Sequence, residues 1–101
     1  MANVSGTWDI LQSNSPTVAT VNLTQDGEAI FGDAVAGSTV ASVGPESRVV
    51  GSEFLLELQW NTGSIGEYHG TIGLNGRLTG ITVDKTHPEA QATWVSNKFF
   101  S

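Results

Sequence analysis

From Glu53 to Trp60 the chain alternates: Phe54, Leu56, Leu58 and Trp60 recur at every second position, with Leu55, Glu57 and Gln59 between them. A period of two is that of a β-strand, whose successive side chains point to opposite faces. After a Gly-containing loop over residues 61–66, Glu67, His69 and Thr71 alternate with Tyr68, Gly70 and Ile72. The pattern predicts a long hairpin with one heavily apolar face and a second face carrying Glu, Gln and His.

The same period marks the other segments. In residues 5–12, Trp8 and Ile10 share a face opposite Thr7, Asp9 and Leu11. Residues 13–16 read as a turn, because Pro16 cannot donate to a ladder. Residues 17–24 predict a second strand with Ala19, Val21 and Leu23 on one side and Val18, Thr20 and Asn22 on the other. Asp26-Gly27 and Asn75-Gly76 carry the φ > 0 chemistry of two-residue hairpin turns. Ala29–Ala36 follows the first turn, with Gly32 as a place for curvature or a bulge; residues 78–84 follow the second. Thr39–Val43 and Arg48–Val50 are short strands flanking a turn at Gly44-Pro45-Glu46. Residues 85–91 form the longest irregular segment, and residues 92–100 the last strand. No segment has useful helical periodicity. About eight or nine strands joined by short turns predict an all-β fold, an antiparallel up-and-down (meander) barrel of about eight strands. A two-sheet sandwich is the alternative. A barrel of about eight strands encloses either packed side chains or one small ligand.

Length and composition narrow the picture. The 101 residues make a single barrel domain. A chain this short buries only about 60–65% of its unfolded surface, and closing a sheet on itself helps by removing its exposed edges. The absence of cysteine excludes disulfides, Cys-ligated zinc and thiol catalysis. Four Lys and Arg against ten Asp and Glu leave a formal charge of −6, with Arg48, Arg77, Lys85 and Lys98 scattered, so no nucleic-acid partner is expected. No run approaches the roughly 18 apolar residues of a membrane helix, so no membrane partner is expected either. Residues 1–30 show no basic segment followed by an apolar run, as a signal peptide would. The compartment is left unknown.

Gly6-Thr7-Trp8 at the head of the first strand resembles the opening of the avidin and streptavidin proteins, and lipocalins share a similar Gly-x-Trp start. The resemblance extends through Gly-rich hairpins, Leu58-Gln59-Trp60 in a middle strand and Thr93-Trp94 late in the chain. It implies an eight-stranded meander barrel with a ligand pocket at one end, and often a homo-oligomer. Where avidins follow the opening Trp with an Asn and a Gly-Ser that bind the ureido group of biotin, this chain has Asp9-Ile-Leu-Gln-Ser-Asn14. It also has no counterpart to the late Trp-bearing loop that caps a neighbouring subunit's site. Biotin binding is therefore not carried over.

The candidate chemistry is aromatic and polar. Trp60, Tyr68 and Trp94 offer flat faces for an apolar ligand or a sugar ring, with N–H and O–H groups as fixed polar contacts. Trp8, at the start of the barrel, reads instead as a plug of the closed end. Asn22 and Gln59, with Asp9, either line a polar lumen or face solvent, since period alone does not say which face is inside. His69 is the natural titratable group of any site. Glu67 lies at i−2 on the same face, within reach of an acid–base pair or of a plain surface contact. A metal site would need at least three convergent ligands, and His69 and His87 are the only imidazoles, so no metal is expected. Residues 84–91 carry recognition at a rim or merely connect strands. No nucleophile elbow, phosphate loop, dinucleotide fingerprint or zinc spacing is present, and nothing calls for a cofactor. The expectation is a small-ligand-binding barrel, for a small organic molecule or a saccharide, without covalent chemistry. The alternatives are a cofactor-free isomerase or cyclase using His69 and Glu67, and a lectin-like or assembly module.

Overall fold

The computed structural model describes residues 3–13 and 18–100. Residues 14–17, which hold most of the expected 13–16 turn and the Thr17 start of the expected second strand, lie outside the described residues. Nine strands are found among the described residues: β1 (Gly6–Gln12), β2 (Ala19–Asp26), β3 (Ala29–Ala36), β4 (Thr39–Val43), β5 (Arg48–Val50), β6 (Glu53–Trp60), β7 (Ile65–Ile72), β8 (Arg77–Asp84) and β9 (His87–Phe99). Every pairing is antiparallel, and β1 bonds both β2 and β9, so the sheet closes. Both β4 and β5 lie between β3 and β6, and together they fill one strand position broken at residues 44–47. The result is a closed eight-stranded antiparallel meander barrel, with no helix among the described residues.

The turns follow from glycine chemistry. Gly27-Glu28, Gly37-Ser38 and Gly51-Ser52 are two-residue turns whose first residue is glycine, at φ of 63°, 59° and 62°. Among the described residues no non-glycine residue has positive φ, so each turn has the II′ pattern, whose twist matches that of the flanking strands. The first turn is thus one residue later than the Asp26-Gly27 pair expected. Asn75-Gly76 belongs to a four-residue loop: Gly76 N–H donates to Gly73 O (2.9 Å), and Gly76 takes a φ of 87° before β8. Lys85-Thr86 alone turns the chain from β8 to β9. The irregularity expected over 85–91 is confined to residues 88–90, which bulge between the Asp84–His87 and Val83–Gln91 pairs.

Inward alternation fills the barrel. Trp8, Ile10, Val21, Leu23, Phe54, Leu56, Leu58, Leu78 and Trp94 are all buried. Trp8 closes one end, its ring centroid 5.1 Å from Phe100 and 6.0 Å from Phe54, with its indole N–H donating to Val4 O (3.0 Å). The aromatic column continues from Phe54 to Trp94 (5.7 Å) and from Trp94 to Tyr68 (5.8 Å, edge-on). The Trp94 indole N–H is shared between His69 O and Ile81 O, both at 3.2 Å. Gly70 and Gly80 pair directly beneath that ring; a Cβ on Gly70 would lie 2.7 Å from Trp94 Cζ2. Buried polar groups are satisfied where ladders break. Ser96 Oγ accepts from Leu78 N–H (3.1 Å) and donates to Lys98 O (2.7 Å), across the register shift at the end of β9.

Candidate functional site

Two of the hollows formed by the described residues differ in kind. The column of aromatics leaves the far end of the barrel open, with a cavity of about 290 Å³. Its walls come from β1 (Gln12), β3 (Ala36), β4 (Thr39), β6 (Trp60), β7 (Gly66, Tyr68), β8 (Thr82, Asp84) and β9 (Ala92), with Ser64, Ala90 and Gln91 at the rim. Tyr68 and Thr82 are buried and most of the other lining residues are partly buried, so the cavity reaches below the surface. Tyr68 is its floor. The phenol donates to Gln12 Oε1 at 2.7 Å, joining β7 to β1 across the lumen. Burial pushes the Tyr68 pKa up, and a hydrogen bond with Thr82 opposes this in part.

Trp60 stands at the side of the mouth, partly buried. Trp8 and Trp94 spend their indole N–H groups on backbone carbonyls, whereas the Trp60 N–H has no hydrogen-bond partner among the described residues. A half-covered aromatic with a spare donor is suited to hold a ligand edge. Asp84 sits on the rim. Its Oδ1 accepts from the Thr86 hydroxyl (2.5 Å) and the Thr86 N–H (2.9 Å), and His87 Nδ1 lies 3.7 Å from Oδ2. These contacts, the Thr86 hydroxyl first, hold the Asp84 carboxyl below the ordinary range.

The second hollow, about 420 Å³, lies on the outer wall over β5–β8, where Arg48, Val50, Glu53, Leu55, His69, Thr71, Thr79 and Ile81 form two cross-strand rows. Closed barrels are convex outside. Here the Gly70–Gly80 pair lets β7 and β8 approach the lumen, and the outer face dips. Most of the side chains in these two rows are exposed, so this is a broad saddle.

The expected site residues are divided between these places. Trp60 and Tyr68 come together at the mouth. Trp94 is one layer deeper, 3% exposed and below Tyr68, and belongs to the core. Asn22 and Gln59 are exposed on the outer face, so the lumen reading of these two is corrected. Asp9 also faces outward, with Oδ1 accepting from Thr20 Oγ1 (2.8 Å). The i, i+2 spacing does bring His69 Nε2 within 3.5 Å of Glu67 Oε1, on the outer wall. Asp84 belongs to the 84–91 segment expected either to carry recognition at a rim or to connect strands, and it lines the mouth; Gln12 and Thr82 were not expected there. Their inward parity was readable, but their height along the barrel was not.

Glu57, on the face of β6 opposite Leu56 and Leu58, points away from the lumen, yet its side chain is only 7% exposed. The 44–47 segment covers it: Gly44 N–H donates to Glu57 O (2.8 Å), and Glu57 N–H donates to Ser47 Oγ (2.9 Å). Carboxylates of Glu46, Glu57 and Glu67 converge within 4.8 Å of one another. The Lys85 ammonium meets them, 3.2 Å from Glu57 Oε2 and 3.6 Å from Glu67 Oε2. The Glu57 hydrogen bond, then the Glu67 charge, hold the Lys85 pKa above its usual value.

Comparison with protein families, curated proteins and solved structures finds no match. The site must therefore be argued from its own geometry.

Tyr68 allows one direct check, because it is the only tyrosine. A raised folded pKa means that its contribution to stability is complete below the unfolded value of about 10 and is lost as pH rises through the folded pKa. Phenolate absorbance is expected to appear only well above pH 10, together with loss of the near-ultraviolet circular dichroism. A reversible titration near pH 10 in the folded protein would mean that the mouth floor is wet.

Proposed function

We propose that this barrel binds a small organic molecule or saccharide, without covalent chemistry, in the open mouth above Tyr68. The carrying observation is the cavity of about 290 Å³ in which a half-buried Trp60 with a spare N–H stands beside the buried Tyr68, hydrogen-bonded to a partly buried Gln12. That volume is just under the usual range of drug-sized pockets, about 300–1,000 Å³, and suits a single ring. A closed meander barrel plugged at one end and open at the other supports this reading, which takes the chain to work as avidin- or lipocalin-type barrels do. Acid–base chemistry by His69 and Glu67 draws less support, because His69 is exposed on the outer wall, with no enclosed space to exclude water.

The test is native mass spectrometry of the purified protein, followed by denaturation and identification of any released molecule. A stoichiometric ligand is expected, and Trp60→Ala is expected to weaken its rebinding at least about tenfold while leaving the thermal transition nearly in place. Unchanged rebinding by a folded Trp60→Ala protein would remove the mouth as the site.

A further inference from the structure

We infer that the mouth selects a small organic cation, a ring bearing a protonated amine or quaternary ammonium together with a hydrogen-bond acceptor. The inference rests on the mouth being the binding site and names the class of molecule it takes.

The positive charge of the chain lies away from the mouth. There are only four Lys and Arg residues in all. Arg77 and Lys98 sit at the plugged end, over the rings of Phe99 (4.9 Å) and Phe100 (5.7 Å). Arg48 lines the saddle on the outer wall. Lys85 is next to the mouth in sequence, but its ammonium is held on the outer wall by Glu57 and Glu67, with Glu46 close by. Three carboxylates around one ammonium leave that neighbourhood net negative. No Lys or Arg lines the cavity among the described residues, and residues 14–17 contain no ionisable side chain.

The negative charge, by contrast, is at the rim. Asp84 lines the cavity, and its hydrogen bonds from Thr86 favour the ionised form. Glu89 lies in the bulge just before Ala90 and Gln91, which line the same mouth. Trp60 and Tyr68 add ring faces, whose quadrupoles attract cations. An anion entering here would meet like charge and no counter-charge; an ammonium would meet a carboxylate and aromatic faces. The spare Trp60 N–H asks for an acceptor elsewhere on the same ligand.

An isosteric series reads this directly: 4-methoxybenzylamine as cation, 4-methoxybenzyl alcohol as neutral analogue and 4-methoxybenzoate as anion. Binding is followed by the indole N–H signals in ¹⁵N–¹H spectra, with the Trp60 signal assigned by its loss in Trp60→Phe. The amine is expected to shift the Trp60 signal with at least about tenfold tighter affinity than the alcohol, and the benzoate not to shift it. That preference should shrink as salt is raised. In Asp84→Asn, which keeps an acceptor for Thr86, the ratio of amine to alcohol affinity should fall towards one. Glu28→Gln, which removes the same charge at the plugged end, should leave the ratio as it was.

Equal affinity for amine and alcohol in the unaltered protein, or a ratio indifferent to Asp84→Asn, would overturn the cation preference and leave the mouth as a neutral-ligand site. If none of the three probes moves the Trp60 signal, both the preference and the mouth reading fall.

Discussion

Trp8→Ala is expected to destabilise the barrel by about 3–5 kcal/mol, the usual cost of truncating a fully buried aromatic. Trp8 is 2% exposed and packs on both Phe54 and Phe100, so its removal opens a void between β1, β6 and the C-terminal segment. Its N–H bond to Val4 O also ties the N-terminal segment over the closed end. Against a total of about 5–15 kcal/mol for a domain, this is a large fraction. Urea unfolding should show a lowered midpoint at an unchanged slope. If the alanine variant fails to fold, Trp8→Phe keeps a ring in the same place and should show a smaller drop. A loss below about 1 kcal/mol for Trp8→Ala would mean that the closed end is not packed around this ring. Trp60→Ala is the contrast: an aromatic of the same size at the other end, argued to matter for binding and much less for stability.

Gly80→Ala is expected to cost about 3 kcal/mol or more, the upper part of the range for overpacking, because the obstruction is backbone. A Cβ at Gly80 would run into His69 O and stand 2.6 Å from Gly70 Cα, and neither can rotate away. The strands β7 and β8 would have to part where a carbonyl of each accepts from the Trp94 N–H. The near-ultraviolet dichroism of Trp94 should change with the stability. Gly37→Ala separates this from backbone conformation. Gly37 has open space around its missing Cβ but sits at φ of 59°, so its cost is the left-handed penalty of about 1–2 kcal/mol alone. Equal losses at the two positions would argue against close approach as the reason for the glycine pair. The same approach creates the outer saddle, so the dip and the Trp94 seat stand or fall together.

Much of the architecture was readable because short-range physics decides it. Alternation at Phe54, Leu56, Leu58 and Trp60 marked a strand and its apolar face; that face is the lumen. Glycine at turn positions marked the first hairpins to within a residue or two, as at Gly27-Glu28, whereas the glycine-free Lys85-Thr86 turn was not legible and the last strand starts at His87 rather than residue 92. Gly32 was expected to serve curvature, and a Cβ there would run into the backbone of Asn22. Trp8 was read as a plug and is one.

What the tertiary structure alone decided is which face is inside and how high along the axis each inward residue sits. A two-residue period groups Trp60 with Phe54 and Tyr68 with Gly70, but the strand stagger sets who meets whom. That stagger stacks Trp94 beneath Tyr68, making one a core residue and the other a floor. It brings Gln12 to Tyr68 over 56 positions of sequence, and it turns Asn22 and Gln59 to the outside. It also buries Glu57 on an outer face, because a loop far from it in pattern folds over it and Lys85 arrives from another turn. Local alternation follows from backbone stereochemistry and is written in neighbouring residues; height, closure and charge placement follow from how eight strand positions shear past one another, which no single segment encodes.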